Sequence, residues 1–279
     1  MISGEGVLHA PVCVPDNPHR IVVLDPTFTL GMTIELGLPV IGAPLFGMSD
    51  ENLRDKAVEQ GVEDLGAVTQ PNIERIIALQ PDLIIGSGML DPVYDMASRI
   101  APTVLISAKW RDYYRIIGDV FGKSAEVTEM FDALDTRIAA IRDKAPDVTV
   151  SMVRITSWDF QVYLDAPDAY APFAVLSEAG IKRSDYETSV DGSTLKRPDW
   201  EDLAQLNGDI LLYIVGGTNA SATNGRHEEV IENPLWKMLP AVEAGRVYRV
   251  DPAIWMEFSG VGSANAVLDD VERYIISRP

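Results

Sequence analysis

The chain has 279 residues, 47% of them hydrophobic and 23% charged, the composition of a globular protein long enough for two lobes of ordinary domain size. With 42 acidic against 23 basic side chains its formal charge is −19, which excludes the basic footprint that nucleic acid requires and opposes adsorption to an anionic membrane. Its longest apolar runs, such as Leu83-Ile84-Ile85, are far too short to span a bilayer.

Cys13 is the only cysteine, so no internal disulfide forms and redox chemistry does not fix the compartment. Met1 to Val12 lacks the basic-then-apolar pattern of a signal peptide. On this evidence the protein is either cytoplasmic or has had its signal removed.

Short β-rich runs alternate with helical patterns, the signature of α/β units around parallel sheets. Strands are predicted first at Arg20–Asp25, Pro39–Ala43, Asp82–Gly86 and Thr103–Ser107, with helices over Glu51–Gln60 and Pro92–Ile100. The longest helical pattern runs from about Ser124 to Lys144. Val127, Met130, Phe131, Leu134, Ile138 and Ile141 form one apolar stripe, with Ser124 as an N-cap and Pro146 as a stop. Beyond it come strands at Val148–Ile155, Gln161–Leu164, Asp209–Val215 and Arg246–Val250, and a helix over Ala171–Ala179. The expected fold is therefore two Rossmann-like α/β lobes with parallel sheets, 1–122 and 147–279. The helix 123–146 joins them as the only covalent crossing, and they enclose a ligand cleft.

An internal repeat supports two similar lobes. Pro71–Ile85 realigns without a gap on Pro198–Leu212, an offset of 127 residues that carries Glu74 onto Glu201 and Asp82 onto Asp209. Each copy opens a short helix with a proline and passes from the aspartate into an apolar strand. Ile73, Ile76 and Ile77, matched by Trp200, Leu203 and Ala204, are expected to face the core.

The chain resembles the periplasmic siderophore, haem and cobalamin binding proteins of ABC importers, whose two lobes share one linking helix. The likeness rests on Arg20–Asp25 after Pro15 and Pro18, Glu35-Leu36-Gly37, Pro71–Ile85 and Ile100–Val104. It continues through Asn233–Trp236, Leu239–Val242, Gly245–Tyr248 and Trp255 to Asp270, in the family's order along nearly the whole chain. The resemblance implies secretion, permease subunits as partners and a ferric siderophore as ligand, with no cofactor. It also implies that Glu74 and Glu201 dock onto permease arginines, against the alternative that they only start helices, where the macrodipole favours a carboxylate. A monomer is expected.

Enzyme motifs are missing. His9, His19 and His227 are scattered without metal-ligand spacing, and there is no Gly-x-Ser-x-Gly elbow or P-loop. Gly86-Ser87-Gly88 follows a strand but lacks the third glycine of a dinucleotide loop. No catalytic residue and no metal ligand is assigned. A siderophore supplies its own oxygen atoms to Fe(III), so the protein needs only apolar walls and a few convergent donors.

Open parallel sheets place ligands beyond the carboxyl ends of their strands. The residues found there are Phe28, Ser87, Met89 and Trp110 in the first half, and Arg154, Trp158 and Trp255 in the second. The family resemblance implies cleft-facing roles for Arg154 and Trp255; for each tryptophan the alternative is the core. Trp236 is assigned to the core, Cys13 to a small buried site and His227 to a solvated face. With Arg154 as the one defensible basic group, a hydroxamate or mixed hydroxamate–carboxylate ligand is favoured over a catecholate. Haem and cobalamin stay open within the family, though no Tyr or His stands out as a haem ligand. An enzyme or cofactor scaffold on the same architecture, and a protein-binding adaptor, are the alternatives outside it.

Overall fold

The β-rich runs of the first half become strands of a six-stranded sheet in the computed structural model, which describes residues 1–277. They are β1 (Val7–Leu8), β2 (Ile21–Val23), β3 (Val40–Ala43) and β4 (Glu63–Asp64), then β7 (Leu83–Ser87) and β8 (Thr103–Ile106). A small antiparallel pair, β5 (Gly66–Ala67) and β6 (Gln70–Pro71), lies outside the sheet. The order is β1-β8-β7-β2-β3-β4, parallel throughout except for β1. In β2 and β7 successive residues from Ile21 to Val23 and Leu83 to Ile85 are all buried, as strands covered on both faces must be.

Helices α1 (Phe28–Glu35), α2 (Glu51–Glu59), α3 (Ile73–Leu79) and α4 (Tyr94–Ala97) lie between these strands, and α5 (Trp110–Val120) follows the last of them. Asp50 and Asn72 cap α2 and α3 by accepting from the N–H groups of Leu53 and Arg75. The helix predicted over Pro92–Ile100 is shorter than expected. Gly88–Val93 is 3₁₀, and regular α-helix begins only past Pro92, which has no N–H to give.

The chain divides into two units. Unit 1 comprises Met1–Ala133 with Ser259–Gly262; unit 2 comprises Leu134–Phe258 and the chain from Ser263 onward. The first boundary falls inside α6 (Ser124–Arg142), whose Val127, Phe131, Leu134, Ile138 and Ile141 are all buried. This helix is not the sole crossing, because the chain returns to unit 1 at Ser259. Gly31 makes room there, since a Cβ on it would lie 2.2 Å from that of Ser259. The Glu35 carboxylate accepts from Val261 N–H at 3.1 Å, Gly262 N–H at 2.6 Å and the Tyr114 hydroxyl at 2.9 Å. It thereby satisfies the free amides that start α12 (Val261–Val271). Burial nevertheless pushes its carboxyl up from the ordinary value.

Unit 2 is built on β9 (Val150–Ile155), β10 (Phe160–Tyr163), β11 (Leu195–Lys196), β12 (Ile210–Val215) and β13 (Val247–Val250), in the order β11-β10-β9-β12-β13. The strands β9, β12 and β13 are parallel, while β10 runs antiparallel to both of its neighbours, β9 and β11. The sheet is therefore mixed. Only Thr156–Asp159 separates β9 from β10, room for a hairpin but not for a parallel crossover. The helices are α7 (Ala171–Glu178), α8 (Arg226–Glu232), α9 (Pro234–Lys237), α10 (Pro240–Glu243), α11 (Pro252–Met256) and then α12. Three of them open on a proline, where the missing N–H costs nothing.

Both copies of the repeat do the same work at the same places. Asp82 accepts from His19 N–H at 2.8 Å and Arg20 N–H at 3.0 Å, tying the start of β7 to that of β2. Asp209 accepts from Thr149 N–H at 2.8 Å and its hydroxyl at 3.1 Å, tying β12 to β9. Asn72 and Asp199, also matched, both accept amides of the following turn. That turn is α3 in the first copy but only a 3₁₀ segment, Asp202–Gln205, in the second. Ile76 and Leu203 reach the core as expected; Ile77, 54% exposed, and Ala204 do not. So short an element lays a single row against the sheet.

Two other expectations are corrected. Cys13 is exposed, because Val12 turns inward and side chains alternate in extended chain. His227 is largely covered, its ring 3.3 Å from the Tyr213 hydroxyl, and burial lowers its pKa. Trp236 is buried as expected.

Candidate ligand sites at the strand ends

In unit 1 the chain leaves β2 for β3 on one side and later places β7 on the other. Sheet order thus reverses between β2 and β7, and the crevice at their carboxyl ends is where such sheets hold ligands. Asp25, fully buried just past β2, spans it. One oxygen accepts the Thr29 N–H at 3.1 Å; the other accepts the Ser87 N–H at 3.1 Å and the Thr29 hydroxyl. Because Thr29 donates to Asp25, the Tyr113 hydroxyl, 2.5 Å away, donates to Thr29. Burial pushes the Asp25 carboxyl up from its ordinary value, and the Tyr113 phenol is raised by burial and by the Asp25 charge.

Two expected residues, Phe28 and Ser87, adjoin this chain of donors, and Met89 follows Ser87 by two positions. Phe28 is half-buried, with its ring centroid 6.0 Å from that of Tyr113. Ser87 ends β7, and its Oγ is buried without a hydrogen-bond partner. Met89 is 86% exposed. Trp110 is different: it is buried edge-on to Phe131 at 5.5 Å, and the apolar face of α5 carries it inward. It belongs to the core of unit 1.

Unit 2 repeats the topology, with order reversing between β9 and β12. Arg154, on β9 opposite Ile214, is only 8% exposed. Its Nη2 donates to the Gly216 carbonyl at 3.1 Å and Thr218 Oγ1 at 3.2 Å, while its buried Nε has no partner. Gly217 permits this close approach. Its φ is +78°, and a Cβ there would stand 2.9 Å from Nη2. Trp158, in the β9–β10 hairpin, is 71% exposed. Trp255 is fully buried, donates from Nε1 to Asp270 at 2.8 Å and packs on Phe173. The expectation of a ligand wall at Trp255 is therefore corrected to a core position, on a short helix whose inner side covers α7.

Sequence reasoning missed Asp25, Thr29, Tyr113, Thr218 and Tyr170, whose hydroxyl donates to the Met256 carbonyl at 2.8 Å. Gly216-Gly217 directly after an apolar strand was a usable signal for the loop around Arg154. Glu74 is exposed in the first turn of α3, and Glu201 is exposed just before the 3₁₀ segment. Among the described residues no three His, Cys, Asp or Glu side chains gather to hold a metal ion, and no helix is long and apolar enough to cross a membrane.

Two α/β units, each with a sheet whose strand order reverses at a switch point, define the fold of a substrate-binding protein. Residues 21–254 match the periplasmic binding protein family, and the chain belongs to it. It is a binding protein, not an enzyme. A similar protein is the probable siderophore-binding lipoprotein YfiY of Bacillus subtilis, 30% identical over an alignment of 279 positions that takes in 94% of this chain and 84% of YfiY. The achromobactin-binding periplasmic protein of Dickeya dadantii is 28% identical, covering 76% of this chain and 72% of its own. Among solved structures, Staphylococcus aureus SirA complexed with staphyloferrin B superposes with a TM-score of 0.80, at 23% identity and 94% coverage of both chains. That likeness shows the fold.

Proposed function

We propose that this protein captures a ferric siderophore and delivers it to the permease of an ABC importer. The observation that carries the reading is the near full-length similarity to a siderophore-binding lipoprotein; it is supported by the place of Arg154, and of Phe28, Ser87 and Met89, at or just past strand ends beside the two switch points. These offer one fixed cation, a hydroxyl and apolar surface, which suit the outer face of a preformed chelate. The ligand is the iron complex, not naked Fe(III). The protein works as a monomer outside the cytoplasm, at the periplasmic or outer face of the membrane. Glu74 and Glu201, exposed at matched places in the two units, dock on basic groups of the two permease subunits. Titration of tryptophan fluorescence with ferric siderophores, haem and cobalamin tests the reading. Sub-micromolar quenching by a ferric siderophore is expected, an affinity of about −8 kcal/mol or better. Saturable binding of uncomplexed iron alone would sink it.

A further inference from the structure

The loop after β3 carries an aromatic ring that nothing in its own unit covers. Phe46 is 71% exposed. Its backbone, by contrast, is held firmly. A single oxygen of Asp64, at the end of β4, accepts the N–H groups of Leu45 at 3.0 Å, Phe46 at 3.2 Å and Gly66 at 2.8 Å. Leu45 beside it is buried, and Gly47 closes the turn at φ +80°. Ordering a loop so that it displays a large apolar side chain to water leaves that surface available to a ligand at little further entropic cost. The position is telling as well. Strand β3 neighbours β2, so Phe46 extends by one strand the row of carboxyl-end residues formed by Ser87 at the end of β7, Met89 just past it and Phe28 after β2. Adjacent strands are about 4.8 Å apart, and a chelate of ordinary size reaches across several of them.

We propose that Phe46 is an apolar contact for the ferric chelate in unit 1, and that Asp64 is the positioning residue that presents it. This rests on the proposed function and adds a chemical requirement: the chelate turns an apolar or aromatic face towards the end of β3. The test uses the full chain and ferric citrate, a ferric trihydroxamate and a ferric tricatecholate as probes, followed by tryptophan quenching, whose fluorophores the substitution leaves in place. For the probe that binds wild type most tightly, Phe46→Ala should raise Kd about tenfold, with an unchanged melting temperature, and Phe46→Tyr should stay within about twofold. Asp64→Ala should raise Kd on its own but add nothing in the Phe46→Ala background, since it acts through the same ring. A Kd unchanged by Phe46→Ala, while Arg154→Ala weakens binding, would overturn this inference and leave the function intact. Normal affinity with impaired transport would reassign Phe46 to the permease contact. Failure of wild type to bind any of the three chelates would overturn both.

Discussion

Replacing Asp82 and Asp209 with alanine, singly and together, probes the duplicated clamp that ties one strand start to the next in each unit. Each substitution removes a carboxylate that accepts two donors at 2.8–3.1 Å. A hydrogen bond to a charged group contributes about 1.5–3 kcal/mol when buried, but the Asp209 side chain is 47% exposed, so water recovers much of that. About 1–1.5 kcal/mol per site remains, which moves the melting temperature by roughly 2–4 °C in a chain of this size. The two aspartates share no partner, so the double variant should lose the sum to within about 0.5 kcal/mol. Urea denaturation followed by circular dichroism measures all three variants. Acid supplies an internal control. The Thr149 N–H, with its hydroxyl, holds the Asp209 carboxyl below its usual value. A depressed carboxyl contributes stability above its unfolded pKa of about 3.9 and loses it as pH falls through the folded value. The penalty of Asp209→Ala should therefore shrink below about pH 4. A loss under about 0.3 kcal/mol at either site, or a penalty that grows with acid, would refute the clamp.

Arg154→Ala should weaken chelate binding by about 1.5–3 kcal/mol in the fluorescence titration while leaving the fold intact; unchanged affinity would remove Arg154 from the site. Trp255→Phe should cost about 2–4 kcal/mol in thermal or urea unfolding, because it strands the buried Asp270 carboxyl and leaves a cavity. A loss of affinity at full stability would restore Trp255 as a ligand wall. Glu74→Arg combined with Glu201→Arg should keep chelate affinity and stop transport in reconstituted vesicles; normal transport would leave both as helix-start residues.

The strands were legible in the sequence because buried parallel strands are written as short runs of Val, Ile and Leu, and every run of that kind paired. The two-residue strands β1, β4, β5, β6 and β11 left no run to see. Phe28, Ser87, Met89 and Arg154 are singled out by looking at and just past strand ends, a rule that uses position along the chain alone. Asp25 and Tyr113 could not be found that way, because their importance lies in hydrogen bonds between residues 62 and 84 positions apart along the chain, Asp25 with Ser87 and Thr29 with Tyr113. Trp110 and Trp255 misled for a related reason. An aromatic just past a strand satisfies the positional rule whether its ring turns outward or into the core, and only the packing of α5 and α11 decides.

The return of Ser259–Gly262 to unit 1 has a consequence for how the polypeptide is made. Domains of nascent chains ordinarily fold in the order in which they emerge. Here the Glu35 carboxylate meets the amides of Val261 and Gly262 only after the 226 and 227 positions that separate them have been translated, and the bare face of Gly31 waits similarly for Ser259. Unit 2 also takes its last helix from beyond Ser263. A ribosome stalled at Phe258 would thus hold two unfinished units, and proteolysis at that point would injure both at once.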